Sequence, residues 1–123
     1  MHPTTHAKTH PERAAYIMAG SGEVVTYRQL DERSNQGAHL FRSLGLKTGD
    51  VIAIFMDNSP RYFEIAWAAQ RAGLYYTCIS SKLTAGEVEY IVGDCAAQVL
   101  ITSPGVGPVA DELPGVLKGV KLY

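Results

Sequence analysis

Val51-Ile52-Ala53-Ile54-Phe55-Met56 is an apolar run with no polar alternation, the pattern of a strand covered on both faces, and such strands normally belong to parallel sheets. The residues after the run fix the connection. Asp57 and Asn58 favour a turn, Ser59 offers a helix N-cap hydroxyl, Pro60 suits the first helical position and Gly73 supplies the stop. A helix is therefore expected from Pro60 to Ala72. Leu74-Tyr75-Tyr76-Thr77-Cys78-Ile79 is then rich in β-favouring residues, and Thr84-Ala85-Gly86-Glu87 forms a capping box ahead of Val88, Ile91, Val92 and Cys95 at helical spacing. Val99-Leu100-Ile101-Thr102 reads as a further short buried strand, Pro104 to Pro108 as a loop, and Val120-Lys121-Leu122-Tyr123 as the beginning of another strand.

Upstream of the run, Gly49-Asp50 makes a turn. Thr26 followed by Gln29 is a second capping box, and the helix it opens, Tyr27 to Leu44 with a stop at Gly45, places Leu30, Ser34, Gly37, Ala38 and Phe41 on one face. Ala14 to Met18 and Glu23 to Val25 are strand-like and flank Gly20-Ser21-Gly22, which predicts a small β-hairpin. Residues 1–13 are expected to be an N-terminal tail, with Pro3 and Pro11 bracketing the poor helix formers Thr4, Thr5 and Thr9. The fold class is α/β: a hairpin, then alternating strands and helices joined by short loops, giving a doubly wound and mostly parallel sheet of flavodoxin-like kind over residues 14–123.

Composition narrows the function. The 123 residues are 46% hydrophobic and 19% charged, which suits a globular domain, and 11 Lys and Arg against 12 Asp and Glu leave no basic excess for a nucleic acid. No apolar run approaches the ~20 residues that cross a bilayer, and Met1-His2-Pro3-Thr4-Thr5-His6 lacks the apolar core of a signal peptide. A cytoplasmic location is the expectation, with Cys78 and Cys95 unbridged.

Chemical motifs are few. His2, His6 and His10 would share a face if that stretch were a helix and could then ligate a metal, but its composition favours an irregular chain end. Pro104-Gly105-Val106-Gly107-Pro108 has two glycines after a strand, yet Pro108 lacks an N–H and no Gly-Lys-Ser/Thr comes after it, so a plain loop is expected rather than a phosphate cradle. Asp57-Asn58-Ser59-Pro60 lies at the carboxyl end of a parallel strand, where open sheets bind ligands, although helix capping and a turn account for the same residues. Tyr75 and Tyr76 could stack on a ligand, but consecutive strand residues would pack one on each face. No Gly-x-Ser-x-Gly elbow or Cys, His and acid set at known spacing is present.

Thr26-Tyr27-Arg28-Gln29-Leu30, Ser34-Asn35, Gly45-Leu46, Gly49-Asp50-Val51-Ile52-Ala53-Ile54 and Asn58-Ser59-Pro60 resemble, in order and spacing, the start of the adenylate-forming (AMP-binding) superfamily. Ala72-Gly73-Leu74-Tyr75-Tyr76-Thr77, then Leu83-Thr84, Glu87, Tyr90-Ile91 and Asp94, look most like bacterial fatty acyl-CoA synthetases; Cys78-Ile79-Ser80-Ser81 departs from the Pro-x-Asn of many relatives. The resemblance covers about Ala14 to Thr102. It implies an ATP-dependent acid–CoA ligase that forms an acyl adenylate with ATP and Mg²⁺ and passes the acyl group to CoA. The phosphate loop with its Lys, the Thr and Glu near the metal, the ribose Asp and the C-terminal Lys lie downstream in that family. This stretch is therefore expected to be an incomplete first subdomain with a scaffold role, holding no catalytic, cofactor-binding or metal residue and binding none of those cofactors alone. The rival expectations are an aryl-CoA ligase or other adenylate-forming enzyme, and an independent flavodoxin-like binding or dimerisation module.

On a helical wheel of Pro60 to Ala72, Tyr62, Ile65, Ala66, Ala69 and Ala72 make an apolar stripe that Phe63 and Trp67 widen, leaving Arg61, Glu64 and Arg71 on a narrow polar strip around Ala68. Phe63 and Trp67 need a cover, expected from later chain or from self-association through this helix.

Overall fold

The computed structural model describes residues 2–123, which form two compact units. The first comprises the chain up to Leu46 together with Ser59–Ala72; the second comprises Lys47–Asn58 with Gly73–Tyr123.

The second unit holds a four-stranded sheet in the order β4 (Tyr75–Ile79), β3 (Val51–Phe55), β5 (Val99–Thr102), β6 (Lys121–Leu122), with every neighbouring pair parallel. Ile52, Ala53, Ile54 and Phe55 of β3 are all inaccessible to solvent, as an unbroken apolar run demands of a central strand. Helix α4 (Ala85–Asp94) opens on the expected capping box: Thr84 Oγ1 accepts from the Glu87 N–H and Glu87 Oε1 accepts from the Thr84 N–H. Its Val88 and Val92 join Ala53, Phe55 and Leu100 in the core of this unit.

One helix of the second unit is anticipated only by the general alternation of strands and helices, and one pair of side chains departs from expectation. Beyond the short turn Pro104–Val106, the chain forms an eight-residue helix, α5 (Val109–Val116), in a stretch whose Pro114 and Gly115 argue against one. Burial of Leu113 in the core cluster overrides that local preference. Tyr75 and Tyr76 do not pack one on each face: both are exposed, because β4 is the edge strand and pairs only with β3.

The first unit contains α1 (Pro3–Thr9), an antiparallel hairpin of β1 (Ala14–Ile17) and β2 (Val24–Thr26), α2 (Tyr27–Ser43) and α3 (Arg61–Arg71). Helix α2 starts with the Thr26/Gln29 capping box, buries Leu30, Ser34, Ala38 and Phe41 as its periodicity requires, and stops where Gly45 takes φ +84°. Gly37 is the point of closest approach to α3: a Cβ placed there would sit 2.7 Å from the Ala68 Cβ.

That approach corrects the wheel drawn for α3. The strip of Glu64, Ala68 and Arg71 is no solvent face, since Ala68 is fully buried and Glu64 is only 7% exposed. Helix α2 makes this possible by supplying the partners: Arg33 Nη1 lies 3.0 Å from Glu64 Oε1, and Asp31 pairs with Arg71.

Residues 3–9 are likewise helical where a tail was expected. Pro3 occupies the first turn, His2 Nδ1 accepts from the Thr4 N–H at 3.1 Å, and Thr4 Oγ1 donates to Asp31 at 2.7 Å while accepting from Arg71 Nη2 at 2.7 Å. Tertiary partners thus stabilise a helix that propensity alone would not.

Candidate functional site

The chain leaves β3 for β4 on one side and β5 for β6 on the other, so the carboxyl ends of β3 and β5 meet where the winding direction reverses. In open α/β sheets this switch point is where ligands bind. Here it is occupied by the protein itself. The Ser103 hydroxyl donates to Asp57 Oδ1 at 2.6 Å, a charge-assisted bond joining the loop after β5 to the loop after β3. The Asp57 carboxylate lies directly against Gly105: a Cβ there would fall 2.1 Å from Oδ2 and 2.2 Å from Cγ. The glycine expected in a simple loop is thus required for room.

Chemically this is a clasp. Ser103 is held by a carboxylate, but no histidine joins them, and no group of three His, Cys, Asp or Glu side chains that could hold a metal occurs among the described residues. Gly107 comes next in the loop at φ +79°, and Pro108 contributes no N–H, so the loop presents no continuous row of donors to a phosphate. Of the candidates raised from sequence, the structure brings Asp57 to Gly105 and leaves Tyr75 and Tyr76 on the exposed edge strand. Cys78 and Cys95 are free thiols, the first exposed and the second half-buried, donating to the Val92 carbonyl at 3.7 Å. The pairing of Ser103 with Asp57 has no signal in the sequence, because nothing local ties positions 46 residues apart.

In the first unit the three N-terminal histidines diverge despite their helix. His2 packs edge-on against Trp67 with ring centroids 4.9 Å apart, His6 tilts over Tyr27 at 5.0 Å, and His10 Nδ1 lies 3.0 Å from Thr9 Oγ1. Tyr16 leans on Phe63 at 5.1 Å and donates its hydroxyl to the Pro60 carbonyl. Burial, reinforced by the Glu64 charge and opposed by Arg33, pushes the Tyr16 phenol up to about 12. Cover for Trp67 and Phe63 therefore comes from upstream chain, the start of α1 and the hairpin, and Phe63 is left 52% exposed.

The surroundings of His2 predict that docking of α1 weakens in acid. Burial and the nearby Arg71 guanidinium hold its imidazole below the ordinary 6.5, against the opposing pull of Asp31. Since the docked state prefers the neutral ring, the undocked state takes up the proton first as pH falls through 6.5, and docking weakens until the pH passes below the docked value. Trp67 fluorescence followed from about pH 8 to about pH 5 should report that loss. His2→Asn, which keeps a neutral acceptor for the Thr4 N–H, should flatten the transition; a wild-type trace that is already flat would rule the mechanism out.

Residues 4–121 match the family described as AMP-binding enzyme. This chain belongs to the AMP-binding enzyme family. Bovine (Bos taurus) long-chain fatty acid transport protein 1 is 35% identical over 87% of this chain and 17% of its own length. A fatty acid–[acyl-carrier-protein] ligase, ScoC of Streptomyces coeruleorubidus, is 32% identical over 89% of this chain and 21% of its own. Among solved structures, a Mycobacterium tuberculosis fatty acyl CoA synthetase superposes with TM-score 0.83 at 26% identity, covering 98% of this chain and 25% of that one. The likeness extends over the α/β architecture of both units, and this AMP-binding chain spans about a fifth of the length of its curated relatives.

Proposed function

We propose that this chain is the N-terminal scaffold of an ATP-dependent acyl-CoA synthetase whose substrates are fatty acids and which works in the cytoplasm. The observation that carries the reading is the match over residues 4–121 to AMP-binding enzymes, joined to relatives named as fatty-acid ligases. ATP, Mg²⁺ and CoA would be held by the remainder of the protein. Adenylation needs preorganised donors and a metal to meet developing phosphate charge, and the switch point of this segment is filled by its own Asp57–Ser103 clasp. No helix among the described residues is long and apolar enough to cross a membrane.

The test uses two proteins. The 123-residue chain alone, given ATP, Mg²⁺ and fatty acids, should release pyrophosphate only at background. A chimera in which it replaces the matching segment of the mycobacterial synthetase should retain fatty-acid-dependent release. Activity in the isolated chain would refute its scaffold role, and a folded but inactive chimera would refute its assignment to such a ligase. Self-association through α3 would now rest on the exposed Phe63 edge, and light scattering that shows a monomer at high concentration would dispose of it.

A further inference from the structure

Helices α1, α2 and α3 and strand β1 border a solvent-open pocket of about 300 Å³ within the first unit, with walls that include His6, Tyr16, Tyr27, Leu30, Phe63 and Trp67. A volume of this order is at the small end of ligand pockets, which are mostly apolar, largely pre-formed and carry a few polar groups that set orientation. Two of its walls, α1 and Tyr16, are tied down by bonds that need no occupant. Thr4, Asp31 and Arg71 anchor α1 to α2 and α3, and the Tyr16 hydroxyl is tied to the Pro60 carbonyl. Among the described residues no carboxylate, guanidinium or ammonium lines the pocket, and nearby charges on α2 and α3 pair with one another, Arg33 with Glu64 and Asp31 with Arg71. Neither pair is free to act as counter-ion to a charged ligand. Flat ring faces and edges instead offer stacking partners, and because the Tyr16 proton is committed to Pro60, its oxygen can only accept.

We propose that this pocket is a binding site for a small neutral aromatic molecule carrying one O–H or N–H donor, held between the Tyr16, Tyr27, Phe63 and Trp67 rings with its donor on the Tyr16 oxygen. The site lies within the first unit and does not depend on the ligase assignment. The chain has a single tryptophan, so the Trp67 indole N–H resonance reports occupancy directly.

The probe is 2-naphthol, titrated into the ¹⁵N-labelled chain. Binding should be saturable, with Kd on the order of 1 mM or tighter for a fragment of this size, and shifts should concentrate at Trp67, Phe63, Tyr16 and His6. Two analogues separate the contributions: 2-methoxynaphthalene keeps the rings without the donor, and decahydro-2-naphthol keeps the donor without the rings. Each should bind about threefold to tenfold more weakly. Tyr16→Phe should weaken 2-naphthol to the level of its methyl ether and leave the ether unchanged, while Ala15→Trp should fill the pocket and abolish both. Amide dispersion shows whether either variant is folded, and the wild-type titrations decide the matter even if neither is. Non-saturating shifts, shifts centred elsewhere, or equal affinity for the saturated analogue would overturn the proposal.

Discussion

Gly37→Leu should cost about 3 kcal/mol or more of stability and separate α2 from α3, because even the first added carbon has nowhere to go. A Cβ at position 37 would lie 2.7 Å from the Ala68 Cβ, and Ala68 is itself fully buried. Neither contacting atom is the free end of a flexible chain, so the helices must move as bodies. Moving them disturbs the Arg33–Glu64 and Asp31–Arg71 pairs, whose geometry depends on the same spacing. Gly37→Ala should be much milder. Its overpacking cost of about 1–3 kcal/mol is offset by about 1 kcal/mol of helix propensity, leaving a net loss of about 0–2 kcal/mol. Urea unfolding followed by far-UV circular dichroism measures both, and Ala68→Gly should restore part of the Gly37→Leu loss by returning the missing space. A Gly37→Leu protein within about 0.5 kcal/mol of wild type would show that the two helices are not held at this distance.

The parts of the fold that were legible in the sequence are those carried by local signals. Both capping boxes formed as spaced, the apolar run 51–56 became the central strand, and Leu30, Ser34, Ala38 and Phe41 became the buried face of α2. Signals that depend on distant partners were misread or invisible. Thr4 is a poor helix former until Asp31 and Arg71 take up its hydroxyl. Glu64 reads as a solvent residue until Arg33, 31 positions earlier, neutralises it within the α2–α3 packing. Helix α4 ends without a glycine because Ala96 itself adopts φ +57°, a conformation that an L residue takes at some strain and that no sequence rule anticipates. At the switch point, Asp57 and Gly105 each have a local reason in the sequence, a turn and a loop, while their reason for being adjacent is each other.

That mutual dependence makes Asp57 and Gly105 a non-additive pair. Gly105→Ala should lower stability by about 1–3 kcal/mol, since its Cβ would enter the space of the Asp57 carboxyl group. The carboxylate can escape only by rotating, and rotation breaks its 2.6 Å bond from Ser103, a hydrogen bond to a charged group of a kind worth about 1.5–3 kcal/mol. Asp57→Ala loses that bond too but clears the space. Adding Gly105→Ala to Asp57→Ala should therefore cost little more, leaving a coupling of about 1–2 kcal/mol between the two positions. Asp57→Asn separates shape from charge: it keeps the volume, so Gly105→Ala should remain costly in that background even though the bond from Ser103 is weaker. Ser103→Ala, which removes the bond without adding bulk, should cost less than Gly105→Ala, because the carboxylate stays in place and half exposed to water. Chemical unfolding of these variants supplies every term of the cycle. Additivity of Gly105→Ala and Asp57→Ala within about 0.5 kcal/mol would mean that the two loops do not touch, and the switch point would then be open to a ligand.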